Sequence, residues 1–293
     1  MGVIDSGPMR RPLLMMAASS VCFALMAFAA KLAAARLSGG EIAFCRFAFM
    51  LLPLLAVPRI GRKAVEFQRL DLLAYRGIFG GVAVLLYFLA IAHIPVGIAT
   101  LLNYSSPVFS VVFAALFLGE RVDRRLLIPL AAALVGLTLT VTGDQATSFR
   151  FGLWEMVGMA SGVLSGAAVT AIRAARRTEG SWAVYGSFSL CGLLATAPFA
   201  LPGFAAPTLR EWLLLALVGG ASVVAQLLMT WAYRWVTNLE AGVISQLTVV
   251  ISMLLGVVFL DDRLTPIQVL GGALALGGVI GVAWTQSPPR AVE

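Results

Sequence analysis

Charge is scarce in this sequence. Only 12% of the 293 residues are charged and 60% are hydrophobic, with a mean hydropathy of +0.95, whereas soluble domains carry roughly a quarter charged residues. No globular core could hide so much apolar side chain, so a soluble protein is excluded and lipid is the solvent. Histidine and cysteine are nearly missing too: one histidine, His93, and three cysteines, Cys22, Cys45 and Cys191. The cysteines fall inside apolar runs without CxxC spacing, which argues against a zinc site or disulfide framework and for small buried hydrophobes. A lone histidine without clustered carboxylates leaves catalytic metal chemistry without ligands. No cofactor is expected. The sequence also lacks the Gly-rich phosphate loop with its Lys-Ser/Thr, which excludes a nucleotide-driven pump. Carboxylates are missing from the middle of every apolar run, since Glu41, Glu155, Glu211 and Glu240 fall at predicted helix ends.

What is present is a series of membrane-length apolar runs. A hydrocarbon core of ~30 Å needs about 20 apolar residues per helix. About ten apolar runs approach that length: Pro12 to Arg36, Ile42 to Val57, Leu70 to Ala92, Val96 to Leu118, Leu126 to Val141, Gly152 to Ile172, Trp182 to Leu201, Glu211 to Trp235, Leu239 to Leu260 and Pro266 to Trp284. The expected fold is therefore an all-α integral membrane protein with ten transmembrane helices. The net charge of +7 follows the positive-inside rule. With a cytoplasmic N-terminus, the inner flanks receive Arg10 and Arg11, the basic loop from Arg59 to Arg69, Arg121 to Arg125, Arg173 to Arg177, and Arg290. Outer flanks keep only Lys31, Arg36, Arg46, Arg150, Arg210 and Arg263. Both termini are expected in the cytoplasm of a multi-pass cell (inner) membrane protein. Basic groups scattered over short loops do not form a nucleic-acid patch. The first run is long enough to span, so it is read as a helix and not as a cleaved signal.

The chain also repeats itself. Displaced by about 142 positions, Ala241, Val250, Ser252, Phe259, Leu260 and Arg263 fall on Ala99, Val108, Ser110, Phe117, Leu118 and Arg121. Ala273, Ala275, Leu276 and Gly278 likewise fall on Ala131, Ala133, Leu134 and Gly136, and Ser161 falls on Ser20. The repeats are expected at residues 1–143 and 152–286, divided by the polar loop from Asp144 to Phe151. A five-span unit is odd, so its second copy must enter the membrane inverted, the plan of many secondary transporters. Polar groups recur at matched depth: Asn103, Tyr104, Ser105 and Ser106 before Pro107 in one half, and Ser245, Gln246, Thr248 and Ser252 in the other. Glu41 is within reach of Arg46 and Lys31 and is expected to pair with one of them; the alternative is a substrate-facing role, with these three charges as a gate or coupling group. Tyr185 and Trp182 read as part of an interfacial aromatic belt.

This plan resembles the EamA family of the drug/metabolite transporter superfamily. The carrying residues are the Ala99 to Arg121 stretch with Pro107 and its Leu118-Gly119-Glu120-Arg121 ending, and the Glu41 to Arg46 opening of the second run. In the second half that ending is Leu260-Asp261-Asp262-Arg263, and Val249 replaces the proline. The resemblance implies a secondary transporter working by alternating access, without enzymatic activity. It also implies a central cavity lined by Ser19, Ser20, Tyr87, Asn103, Tyr104, Ser161, Ser165, Gln226, Trp231, Ser245 and Gln246. Uncharged polar groups with aromatic faces suit a small zwitterionic or amphipathic solute, with amino acids and their relatives as exported cargo. Nucleotide-like, vitamin or drug-like solutes are the alternative, and a membrane-embedded lipid-processing enzyme is the remoter one. The partners are the small-molecule substrate and the lipid bilayer, with no nucleic acid, and a homodimer is left open.

Overall fold

Apolar runs enter hydrocarbon as helices because lipid offers no partner to a free N–H or C=O. The computed structural model describes residues 7–118, 124–142, 152–175, 178–232 and 243–285, and no strand occurs among them. The described α-helices are α1 (Gly7–Ala33), α2 (Gly39–Ala56), α3 (Pro58–Ala64), α4 (Leu70–His93), α5 (Val96–Tyr104), α6 (Ser106–Leu118), α7 (Leu127–Thr142), α8 (Leu153–Ala175), α9 (Ser181–Ala200), α10 (Leu209–Ala232), α11 (Leu247–Phe259) and α12 (Pro266–Thr285). Six of them, α1, α2, α4, α8, α9 and α10, are long and apolar enough to cross a membrane. The chain is a multi-pass membrane protein.

Ten uninterrupted spans are not what the described residues display. The fourth expected span is divided at Ser105 into α5 and α6, because Pro107 has no N–H to return to the Asn103 carbonyl. The ninth is interrupted at Gln246, just before α11, and α7 has only 16 residues. The expected Gly119-Glu120-Arg121 ending, the Asp144 to Phe151 loop and Glu240 lie outside the described residues.

The two halves interlock. The most extensive pairings are α7 with α12, α4 with α8, α1 with α10, and α9 with both α4 and α2. Exchanging the halves matches α1 with α8, α2 with α9, α4 with α10, and α7 with α12. That exchange turns the α4–α8 pairing into α10–α1, turns α4–α9 into α10–α2, and leaves α2–α9 and α7–α12 unchanged. The α7–α12 seam displays the same relation in single residues. A Cβ added to Gly136 would overlap the backbone nitrogen of Ala275, and one added to Gly278 would overlap that of Ala133. Residues aligned by the repeat thus meet crosswise, and glycine lets the backbones approach.

Gly136→Val and Gly278→Val should each destabilise the protein by about 1–3 kcal/mol, the usual cost of forcing bulk into a packed contact. Both should lower the thermal unfolding midpoint in detergent by like amounts. Gly277→Val is the control, since nothing lies within 4 Å of its added Cβ, and it should leave the midpoint unchanged.

Candidate functional site

The polar residues of the two halves meet where their helices are broken. At the first break Ser105 has φ −73° and ψ −3°, and Val108 donates to the Ser105 carbonyl at 2.9 Å. At the second, Gln246 has φ −66° and ψ −17°, and Val249 donates to the Gln246 carbonyl at 3.0 Å. Both are single tightened turns of the 3₁₀ kind, one residue out of register at the repeat displacement. Only the first has a proline to explain it.

Each break is seated on the leading helix of the opposite half. Asn103 donates to Ser161 Oγ at 2.8 Å and to Ser165 Oγ at 3.1 Å, tying α5 to α8. Gly162 packs against the Leu102 carbonyl and Gly166 against Phe109, which accounts for the small-residue stripe of α8. In the other half, Ser20 Oγ donates to the Met16 carbonyl at 3.1 Å and to the Ile244 carbonyl at 3.2 Å. Thr248 Oγ1 returns a bond to the Ser20 carbonyl at 3.2 Å. Ser20 and Ser161, aligned by the repeat, occupy corresponding joints.

One turn of α10 carries the centre. Ser222 accepts from Arg46 Nε at 2.9 Å, the Ala225 carbonyl accepts from Ser19 Oγ at 2.8 Å, and Gln226 follows, buried with 8% exposure. Tyr87 Oη lies 2.9 Å from Thr100 Oγ1. Thr100 itself donates to the Val96 carbonyl at 2.7 Å, so the tyrosine is the donor of that pair. Gln246 is buried, and Tyr104 and Ser245 are half-buried. Trp231 stands apart, 59% exposed near the end of α10.

Several expectations need correction. Glu41 pairs with neither Arg46 nor Lys31. One of its oxygens caps α2 by accepting from the Ser38 N–H at 2.6 Å, and the other accepts from the Ala205 N–H at 2.6 Å. Helix-end donors outcompete an ammonium because they are already fixed at the carboxylate. Lys31 donates instead to the Ile94 carbonyl at 2.9 Å. Tyr185 is no belt residue: it is buried and donates to the Met50 carbonyl at 2.8 Å. Arg46 is 3% exposed and lies 5.1 Å from the Phe47 ring centre and 5.8 Å from those of Phe88 and Phe188. The sequence pointed to Arg46 through its charge in an otherwise apolar run, the usual mark of function within a span. Its partners Ser222 and Phe188 had no such signal.

Both ends of the central cluster are closed by bonds between the halves. At one end Arg36 pairs with Glu211 and donates to the Ala206 carbonyl, and Val96 donates to Asp262 at 3.0 Å. At the other, Glu179 accepts from the backbone of Gln68 and Arg69 at 3.0 and 2.5 Å. No group of histidine, cysteine or carboxylate side chains suited to a metal occurs among the described residues. The arrangement brings hydroxyl, amide and guanidinium groups together beside aromatic rings.

The profile of the EamA-like transporter family matches residues 10–142 and 152–284. The chain is 30% identical over 269 residues to the pseudopaline exporter of Pseudomonas aeruginosa, covering 92% of this chain and 94% of that one. It is 29% identical over 200 residues to a protein of Streptantibioticus cattleyicolor named "Probable terminal-alkyne amino-acid exporter", covering 64% of each. A solved crystal structure shares the fold over 94% of this chain and 99% of its own, with a TM-score of 0.61 and 21% identity. With both halves matched by one family of transporters and not of enzymes, the chain belongs to the EamA-like transporter family.

Proposed function

We propose that the protein is a secondary transporter that exports small organic metabolites by alternating access, amino acids or related amphipathic solutes first among them. In this reading residues 1–143 and 152–286 are inverted five-helix repeats in the cytoplasmic membrane, with both termini inside. The observation that carries it is the pair of helix breaks at Ser105 and Gln246, each joined to the first helix of the other half. Discontinuous helices at corresponding positions of two repeats are where transporters of this build hold their cargo. The names of the pseudopaline and amino-acid exporters support a metabolite cargo and an outward direction. Asn103, Tyr104, Tyr87, Gln226, Ser245 and Gln246, with the serines of α1 and α8, form the proposed binding surface, and Trp231 would join it only in another conformation.

Proteoliposomes loaded with amino acids, nucleosides and vitamins test the reading. Saturable efflux of one class, accelerated by the same solute outside, is expected of a carrier; saturable flux without that acceleration, or none at all, overturns it. Asn103→Ala and Gln246→Ala should each raise the half-saturating concentration about three- to tenfold, the loss of roughly one hydrogen bond, in protein that remains folded, with Asn103→Ala lowering the unfolding midpoint because its bonds to Ser161 and Ser165 go too. Orientation is checked with single cysteines in a thiol-free background. Arg210→Cys should react with an impermeant maleimide in intact cells and Arg62→Cys only after permeabilisation, and the reverse pattern would invert the topology.

A further inference from the structure

A guanidinium inside hydrocarbon ordinarily has a carboxylate against it, because the desolvation cost of the charge is otherwise unrecovered. Arg46 has none. The ion pairs among the described residues are Arg36–Glu211 and Arg69–Asp71, and Glu41 is committed to Ser38 and Ala205. Among the described residues Nε of Arg46 donates to Ser222, while Nη1 is buried without a partner. Three phenyl rings lie round the cation, but rings leave the N–H groups of the fork unused. Phe88, one of these rings, packs edge-on against Tyr87 of the central polar cluster. A planar fork with free donors beside aromatic faces fits a carboxylate carried by an organic solute, which arginine binds through paired N–H groups.

We propose that Arg46 is the receptor for a carboxylate of the transported solute, and that the cargo is a carboxylate-bearing metabolite whose apolar part lies on the Phe47, Phe88 and Phe188 rings. This rests on the carrier reading above. It replaces the expected uncharged surface with one that carries a fixed positive charge. Burial of Nη1 means that the solute reaches Arg46 when the halves part.

The test uses purified full-length protein and the matched probes benzoate and benzamide at equal ionic strength. Benzoate should raise the thermal unfolding midpoint of the wild type while benzamide does not, and Arg46→Met and Arg46→Gln should each abolish the benzoate shift. Without additive, the Met variant should unfold no lower than wild type, since it removes an uncompensated charge. In proteoliposomes, the same variants should slow efflux of a carboxylate solute at least tenfold and leave that of its carboxamide unchanged. A benzoate shift that survives in both variants, or is missing from the wild type, overturns the proposal. So does an equal loss of carboxylate and carboxamide flux. If benzoate discriminates as expected but no solute of the panel shows counterflow, the anion site stands and the carrier reading falls. Should the Met variant not fold, the Gln variant decides by the same benzoate comparison.

Discussion

In hydrocarbon a polar group that finds no partner in the protein finds none. The rest of this structure follows from that constraint. An uninterrupted helix satisfies its own backbone, so breaking one requires donors and acceptors from elsewhere. Here they come from the opposite half: Asn103 reaches Ser161 and Ser165, and Ser20 and Thr248 exchange bonds across α1 and the second break. Serine suits these joints because it supplies a donor and an acceptor without holding the helices apart. The polar residues therefore bind the halves together, and in the proposed carrier the same groups would face the solute.

The fold was largely legible because lipid makes sequence patterns blunt. Apolar runs marked the helices, and the displacement of about 142 positions paired Ala133 and Gly136 with Ala275 and Gly278, which meet in space across α7 and α12. Polar residues at matched depth marked the two breaks. The second break was harder to foresee, because Val249 can donate a helical bond and no proline announces the interruption at Gln246. Side-chain partners at the centre were less legible. The Glu41 charge looked available to Arg46, yet capping and a contact with the Ala205 backbone occupy both its oxygens. Tyr185, beside Trp182 near a helix end, resembled a belt residue until its contact with Met50 placed it inside. Choices of this kind depend on the rotation of one helix against another, which hydropathy does not record.

The repeat is symmetric in its packing and asymmetric in its chemistry. Arg46 and Phe188 fall on one another at the repeat displacement, and in space the ring of one lies 5.8 Å from the cation of the other. Exchange of the halves thus preserves the scaffold and places a charge on one side only. The buried arginines Arg46 and Arg76, both on the first half and both beside the Phe188 ring, have no counterpart in the second.

The uncompensated charge of Arg46 also bears on energy. No carboxylate lies deep among the described helices to carry a proton. An empty site is positive, and a site holding a monoanion is neutral. In the proposed carrier the outward step with such a cargo would cross the membrane without moving net charge, and the return of the empty site would carry the Arg46 charge toward the negative interior. That step gains from the membrane potential, about 2.3 kcal/mol for a full charge at 100 mV. Voltage, acting on one arginine, would drive the export of anions and be indifferent to zwitterions.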